Sequence, residues 1–374
     1  MTQSISVLEK VRRFGDALID QKKARAIVMP QDSASGFWFG GGNMILDADD
    51  HLLVVGRYRN AGDSRTGVAS GTRGLELAIF RSVQPSTACE KVTFEKVLSF
   101  SKAELKCGDQ EVLSIEGSCL RRTETGFQLF VSTEKANVNY PAGVSSFQKP
   151  GAGVWTIDVL QAKDLPGLRQ AVVSPCFQSR RPEHLHVKDP FFWNNGEHDR
   201  LGFCSHPFNW SSSNSGVVKL NDDGAIMGEA DFNVVDRGTT WDVAMTRTTS
   251  ILPMPAAASA LSEWQSILFY CGGECVRELD QHATAVSRPR GYSCEEIGGT
   301  LLISNSNALG VVRISDLLPQ FVSPYGTGCS RYVDVCETPE GYFATWQQSQ
   351  TDFSQPLVMN FLPYEAVNQI FETP

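Results

Sequence analysis

The sequence predicts an all-β protein, a five-bladed β-propeller preceded by one short N-terminal helix. Three observations carry this. Apolar residues recur with period two, or in short runs bounded by Gly, Pro, Asn and Asp, which is the pattern of short strands. A hairpin unit recurs along the chain. Its anchor residues Asn43, Glu116, Asp189, Asp242 and Asp334 are 73, 73, 53 and 92 residues apart, so a mean near 73 divides the 374 residues into about five. Four short strands with their loops need about 40–50 residues, the size of one blade. A pair of β-sandwich domains is the rival, but no Pro- or Ser-rich linker divides the chain.

The elements follow in order. Over residues 6–20, Leu8, Val11, Phe14 and Leu18 fall at helical spacing, with Lys10, Arg12, Arg13 and Asp16 opposite them. Ser6 and Glu9 fit a capping box at its start. Residues 1–30 therefore read as a helical extension and 31–374 as the propeller. The first unit is Gly42-Asn43-Met44-Ile45, with its turn at 47–50 and a return through His51-Leu52-Leu53-Val54-Val55. The second starts at Ser114, turns at Glu124-Thr125-Gly126 and returns from Phe127. The third starts at Val187, turns at Asn194-Asn195-Gly196 and returns from Leu201. The fourth is Trp241-Asp242-Val243-Ala244, with Thr249-Ser250-Ile251-Leu252 and an excursion from Pro253 to Ser262. The fifth starts at Arg331, turns at Pro339-Glu340-Gly341 and returns from Tyr342. A short closing helix lies between Pro363 and Phe371.

Composition removes several functions. Lys+Arg 33 against Asp+Glu 42 gives a net charge of −9, which repels a polyphosphate backbone, so nucleic acid is not the partner. Hydrophobic residues make up 41% and charged residues 20%, which excludes a disordered chain. No apolar run reaches the length of a membrane span, so no membrane partner is expected. Residues 1–30 lack the basic, apolar and small-residue order of a secretory leader. The expectation is a cytoplasmic protein with ten reduced cysteines, several of them, such as Cys204 after Phe203 and Cys271 after Tyr270, inside apolar runs. The sequon Asn209-Trp210-Ser211 is then inert. Self-association into a homo-oligomer stays open. No phosphate-binding loop, dinucleotide fingerprint or nucleophilic-serine elbow is present.

The anchors matter because the innermost strand of each blade lines the central channel. Four of the five are acids: Glu116, Asp189, Asp242 and Asp334. Carboxylates converging at one end of a channel raise each other's pKa, which produces the mixed states that proton transfer requires. The plainer reading is that they fix turns or hold an axial cation.

Two stretches carry a resemblance. Lys188-Asp189-Pro190 before an aromatic strand, and Ser114-Ile115-Glu116-Gly117 before a turn and a Phe-rich strand, resemble the five-bladed propeller glycosidases. That group includes the arabinanase and β-xylosidase family, the invertase and levansucrase families and the mannoside phosphorylases. The likeness covers most of the chain after residue 36. It implies acids from successive blades acting as base or nucleophile, as a pKa-tuning aspartate and as general acid on a short oligosaccharide. Glu116 and Asp189 would be the central pair, with Asp242 and Asp334 tuning them or binding sugar hydroxyls.

The first blade departs from this pattern. It reads Gly40-Gly41-Gly42-Asn43 where a hydrolase places its base, and Asp32 is the nearest upstream acid. The glycine run is either a tight turn or a close approach of substrate to backbone. Asn43, Arg59, Arg181, His186, Lys188, Trp241 and Arg331 are the expected substrate-binding residues. Trp38, Trp193, Trp241 and Tyr325 serve either as core or as stacking faces for sugar rings. His184 and His186 with Asp189 or His206 form only a weak metal signal, so no metal and no cofactor are expected. The basic rim points to an anionic group, a uronate or a phosphate. Two alternatives to hydrolysis stay open. In a phosphorylase, Arg57, Arg59, Arg181, Lys188 and His186 would clamp phosphate; in a catalytically silent propeller, the funnel would only bind a glycan or a protein.

Overall fold

The computed structural model describes residues 6–60, 74–194, 198–221, 223–258, 264–274, 296–304 and 310–372. Helix α1 (Val7–Leu18) leads into β1 (Arg25–Val28). Blade 1 comprises β2 (Trp38–Gly40), β3 (Met44–Leu46), β4 (Leu52–Arg59), β5 (Glu76–Ser82) and β6 (Phe94–Ser101). Blade 2 comprises β7 (Val112–Thr123), β8 (Gly126–Lys135), β9 (Val154–Ala162) and β10 (Ser174–Phe177). Blade 3 comprises β11 (His186–Asn194), β12 (Asp199–His206), β13 (Asn214–Leu220) and β14 (Ile226–Val235). Blade 4 comprises β15 (Met245–Pro253), β16 (Trp264–Gly273), β17 (Ile297–Ser304) and β18 (Val311–Arg313). Blade 5 comprises β19 (Ser330–Thr338), β20 (Gly341–Gln348) and β21 (Leu357–Pro363), followed by α2 (Tyr364–Glu372).

The expected five-bladed propeller is therefore present, and all ladders between consecutive strands of a blade are antiparallel. The innermost strands form a ring: β3 lies beside β7, β7 beside β11, β11 beside β15, β15 beside β19, and β19 again beside β3.

The ring is latched by the N-terminus. Residues 25–28, expected to belong to a helical extension, are the fourth strand of blade 5: Arg25 pairs with Met359 and Ala26 with Val358. A last blade completed by the first strand leaves no open seam in the ring. The helix before it forms as its spacing predicts. Ser6 caps it through the Glu9 N–H at 3.3 Å, while the Glu9 carboxylate turns to Arg13 at 3.0 Å, so half of the capping box forms. Val11, Phe14 and Leu18 are buried against Tyr342, Trp346, Phe321 and Phe371, and this burial docks both helices under blades 4 and 5.

A β-bulge at one place in four inner strands positions the site. Glu116 and Gly117 together oppose Ser132, because Ile115 pairs with Thr133 and Ser118 with Val131. Asp189 and Pro190 are likewise inserted between Lys188–Cys204 and Phe191–Gly202. Tyr332 and Val333 lie between Arg331–Gln347 and Asp334–Thr345. In blade 4 the extra residue is Thr249, beside Thr248. Asp189 and Tyr332 both have positive φ, 52° and 54°. Bulges re-aim side chains, and here they turn one residue per strand toward the channel.

The bulge also corrects the repeat alignment. Its first residues are Glu116, Asp189, Thr248 and Tyr332, so the acid-anchored spacing slips by six residues in blade 4 and by two in blade 5. Asp242 precedes the inner strand instead of starting it. Acids two or six residues away drew the alignment because the equivalent positions hold a threonine and a tyrosine. The eight described cysteines are free thiols. Cys275, Cys294, Asn195-Gly196 and the end of the fourth-blade excursion lie outside the described residues. No helix among the described residues is long and apolar enough to cross a membrane.

Candidate active site

The residue before each bulge is a cation in three successive blades: Lys188, Arg247 and Arg331. The bulges behind them turn Asp189 and Tyr332 into the same region, where β7 delivers Glu116 and β4 delivers Arg57. Arg57 Nε and Nη2 both donate to one oxygen of Glu116, at 3.1 and 2.8 Å, and its Nη1 donates to the Gly40 carbonyl at 3.1 Å.

Asp189 meets the strand that carries Glu116. Its Oδ1 accepts from the Gly117 N–H at 3.1 Å. The Asp189 N–H donates to Ser132 Oγ at 3.2 Å, and that hydroxyl donates to the Gly117 carbonyl at 2.8 Å. Residue 117 must be glycine here, since a Cβ would stand 2.5 Å from Asp189 Oδ1 and 2.6 Å from its Cα. On its other side Asp189 Oδ2 faces Arg247 Nη1 at 3.3 Å, Lys188 Nζ at 3.9 Å and the Cys204 thiol at 3.4 Å.

Arg247 joins a third carboxylate. Its Nη1 donates to Glu296 Oε2 at 2.9 Å and to the Tyr332 hydroxyl at 2.8 Å, and Arg331 Nη1 reaches Glu296 Oε1 at 3.0 Å. Burial pushes the Glu296 carboxyl up, but Arg247 and Arg331, with Lys188 and Arg57 behind them, outweigh it and hold the group below its ordinary range. The guanidinium groups of Arg57, Arg247 and Arg331 all lie over the Tyr332 ring, 5.4–5.7 Å from its centre. Arg331 also lies 4.0 Å over Trp38, and Arg59 lies 3.9 Å over the same ring.

A histidine-and-tryptophan wall adjoins the cluster. Trp210 stacks on His186 at 4.4 Å and packs against His206 at 4.5 Å. Burial, reinforced by Lys188, lowers the His186 pKa to about 3. Burial and then the same lysine and Arg247 carry His206 well below its ordinary value. Both imidazoles are neutral near pH 7.

The remaining sequence-predicted residues stand elsewhere. Asn43 braces blades 1 and 2: its Nδ2 donates to the Leu120 carbonyl and its Oδ1 accepts from the Leu120 N–H, both at 2.8 Å. Gly41, with φ 72°, packs so tightly on Arg57 that a Cβ would stand 2.8 Å from Nη1, so the glycine run serves a close backbone approach. Asp242 accepts from the Tyr270 hydroxyl at 2.9 Å and pairs with Arg313, within blade 4. Trp241 beside it is core, stacked on Tyr270 and donating to the Ser315 carbonyl. Arg181 is exposed and lies over Phe232 on the outer strand of blade 3. Asp32 is exposed and accepts from the Ser33 N–H. His184 turns away from His186 to Ser205 Oγ at 3.0 Å. Asp334 is buried at the seam of blades 5 and 1, where its Oδ2 accepts from the Met44 N–H at 2.7 Å. Burial raises its pKa to about 7, against the opposing pull of the Met44 and Val335 N–H groups.

Arg247, Glu296 and Tyr332 are the members that sequence reasoning missed. The recoverable signal is the pair Arg247-Thr248 in register with Lys188-Asp189 and Arg331-Tyr332. Glu296 lies just before β17, outside any repeated strand, and carries no periodic signal.

Comparison of the fold with solved structures finds close architectural matches. A thermostable family-43 glycoside hydrolase matches with a TM-score of 0.54 at 11% identity, covering 89% of this chain and 91% of its own. An endo-arabinase from Bacteroides thetaiotaomicron matches with a TM-score of 0.53 at 12% identity, covering 90% and 98%. This chain has the fold of the family-43 propellers. A protein solved as an RGII complex matches with a TM-score of 0.60 at 9% identity, covering 95% of each polypeptide. No family model and no curated protein matches the sequence. At these identities the likeness describes architecture, and chemistry has to be argued from the side chains.

Proposed function

We propose that this protein is a glycoside hydrolase that cleaves a short oligosaccharide in the funnel of its inner strands, with Glu116 and Asp189 as the central acids. The observation that supports this is the hydrogen bond from Gly117 N–H to Asp189 Oδ1, which ties the acid of blade 3 to the backbone next to Glu116 of blade 2. In such hydrolysis the bond from the anomeric carbon to the leaving oxygen breaks and water adds its hydroxyl to that carbon. One carboxyl passes a proton to the leaving oxygen while its partner serves the attacking side. Arg57 fixes Glu116, and Arg247 with Arg331 fixes Glu296, through charge-assisted hydrogen bonds, while Arg247 also faces Asp189, so little reorganisation is left for the reaction itself. Relatives in fold that are a glycoside hydrolase, an endo-arabinase and an RGII complex favour a saccharide ligand. Free thiols at eight cysteines fit a reducing, cytoplasmic setting.

A second reading, phosphorolysis, is favoured by the cations Lys188, Arg247 and Arg331 gathered beside the carboxylates. The test is a panel of short oligosaccharides incubated with and without millimolar phosphate, with products identified by mass spectrometry. Free reducing sugar released at a rate independent of phosphate is expected. A sugar 1-phosphate would replace hydrolysis by phosphorolysis, and no product from any member would leave a silent binding propeller.

A further inference from the structure

Among the described residues, Arg57, Lys188, Arg247 and Arg331 gather around Glu116, Asp189 and Glu296, and they are not equally well paired. His186 and His206, the imidazoles beside them, add no charge. Arg57 has Glu116, Arg247 has Asp189 and Glu296, and Arg331 has Glu296. Among the described residues Lys188 has only Asp189, at 3.9 Å, which is beyond hydrogen-bond reach.

The Lys188 side chain is 11% exposed, and among the described residues its ammonium meets no hydrogen-bond acceptor. What surrounds it is aromatic: the Trp155 ring at 5.6 Å and the Trp210 ring at 5.5 Å. Ring faces attract a cation but do not replace the water that burial removes from three N–H donors. Beside it Arg247 Nε is also buried without a partner. Unmet donors on buried cations cost stability unless a ligand satisfies them.

We propose that the funnel takes a glycoside bearing a carboxylate, a uronic-acid sugar, whose carboxylate is seated on the Lys188 ammonium. This rests on the glycosidase reading above and names its substrate class. A carboxylate supplies the acceptors that Lys188 lacks among the described residues. The Trp155 and Trp210 rings flank the seat and offer apolar faces to the sugar. Inorganic phosphate shares the oxyanion chemistry but has no apolar face to lay against the Trp155 and Trp210 rings.

Calorimetric titration tests the proposal without requiring turnover. The probes are glucuronate and galacturonate, their methyl esters, xylose, and inorganic phosphate. At least one uronate is expected to bind the wild type about tenfold or more tighter than its own ester, with an affinity that falls as salt rises. Lys188→Met and Lys188→Gln, each checked for a native melting transition, are expected to lose that preference. Equal binding of acid and ester, binding of phosphate without any uronate, or a preference that survives in both folded variants would overturn it. If both variants unfold, the comparison of acid with ester in the wild type still decides. Equal binding leaves hydrolysis of a neutral saccharide standing, while uronate binding without cleavage leaves the site and removes the hydrolase.

Discussion

Asp189→Asn is expected to lower turnover by about 10² or more while leaving the fold in place, the usual size of a lost acid–base or electrostatic contribution. The substitution is chosen for its backbone as well as its charge. Asp189 stands at φ 52°, a region that asparagine tolerates and β-branched or bulky residues do not. An asparagine Oδ1 still accepts the Gly117 N–H, so the junction of blades 2 and 3 is kept. What disappears is the negative charge facing Arg247 and Lys188. Arg247 keeps Glu296 and the Tyr332 hydroxyl, which limits the loss of thermal stability to a few degrees. Glu116→Gln is the companion, with the same expected direction. Near-normal turnover in both variants would remove the pair from the mechanism, and unfolding of both would make the acids structural.

Asp334→Asn is expected to change how stability depends on pH. The buried carboxyl has a pKa of about 7 in the folded chain against an ordinary 3.8. Below pH 4 it is protonated in both states and carries no penalty. Between about pH 4 and 7 the unfolded chain releases this proton while the folded chain holds it, so stability falls as pH rises through that window. At 1.36 kcal/mol per pH unit the gap amounts to about 4 kcal/mol, complete above pH 7. Asparagine cannot ionise and offers Met44 the same acceptor, so it removes the penalty. Urea unfolding of both proteins at pH 4 and pH 8 isolates the effect, because every other group titrates alike in the two. The variant should gain on the wild type by up to about 4 kcal/mol between the two pH values. A difference that does not change with pH would mean that Asp334 ionises freely in the folded chain.

Much of the architecture was legible because short-range chemistry writes it directly. Ser6 and the spacing of Val11, Phe14 and Leu18 announce the first helix, and Gly126 and Gly341 mark hairpin turns that form where expected. The ring latch was not legible. Arg25–Val28 is too short to show a period, and its partner β21 lies more than 300 residues away.

The site was half legible for a similar reason. Glu116, Asp189, Lys188 and Arg331 stand next to bulges inside well-formed repeats. Blade 4 conforms to the same geometry through Arg247-Thr248, but an alignment anchored on acids passes over a threonine and settles on Asp242. Asp242 is buried for local reasons, since it answers Arg313 and Tyr270. Nothing in the residues around it distinguishes that role from a place in the funnel. In blades 3, 4 and 5 the cation before the bulge is the more faithful marker, because it is present in blades 4 and 5, where no acid begins the bulge.

The central claim, that funnel carboxylates direct water to an anomeric carbon, is tested most directly by isotope transfer. The wild type and Asp189→Asn are incubated with cleavable oligosaccharide in water enriched in oxygen-18, with phosphate present, and fresh products are weighed by mass spectrometry. The account predicts one heavy oxygen on the newly formed reducing end in the wild type, and at least about a hundredfold less product in the variant. An unlabelled sugar phosphate, or labelled product formed equally fast by both proteins, would contradict it.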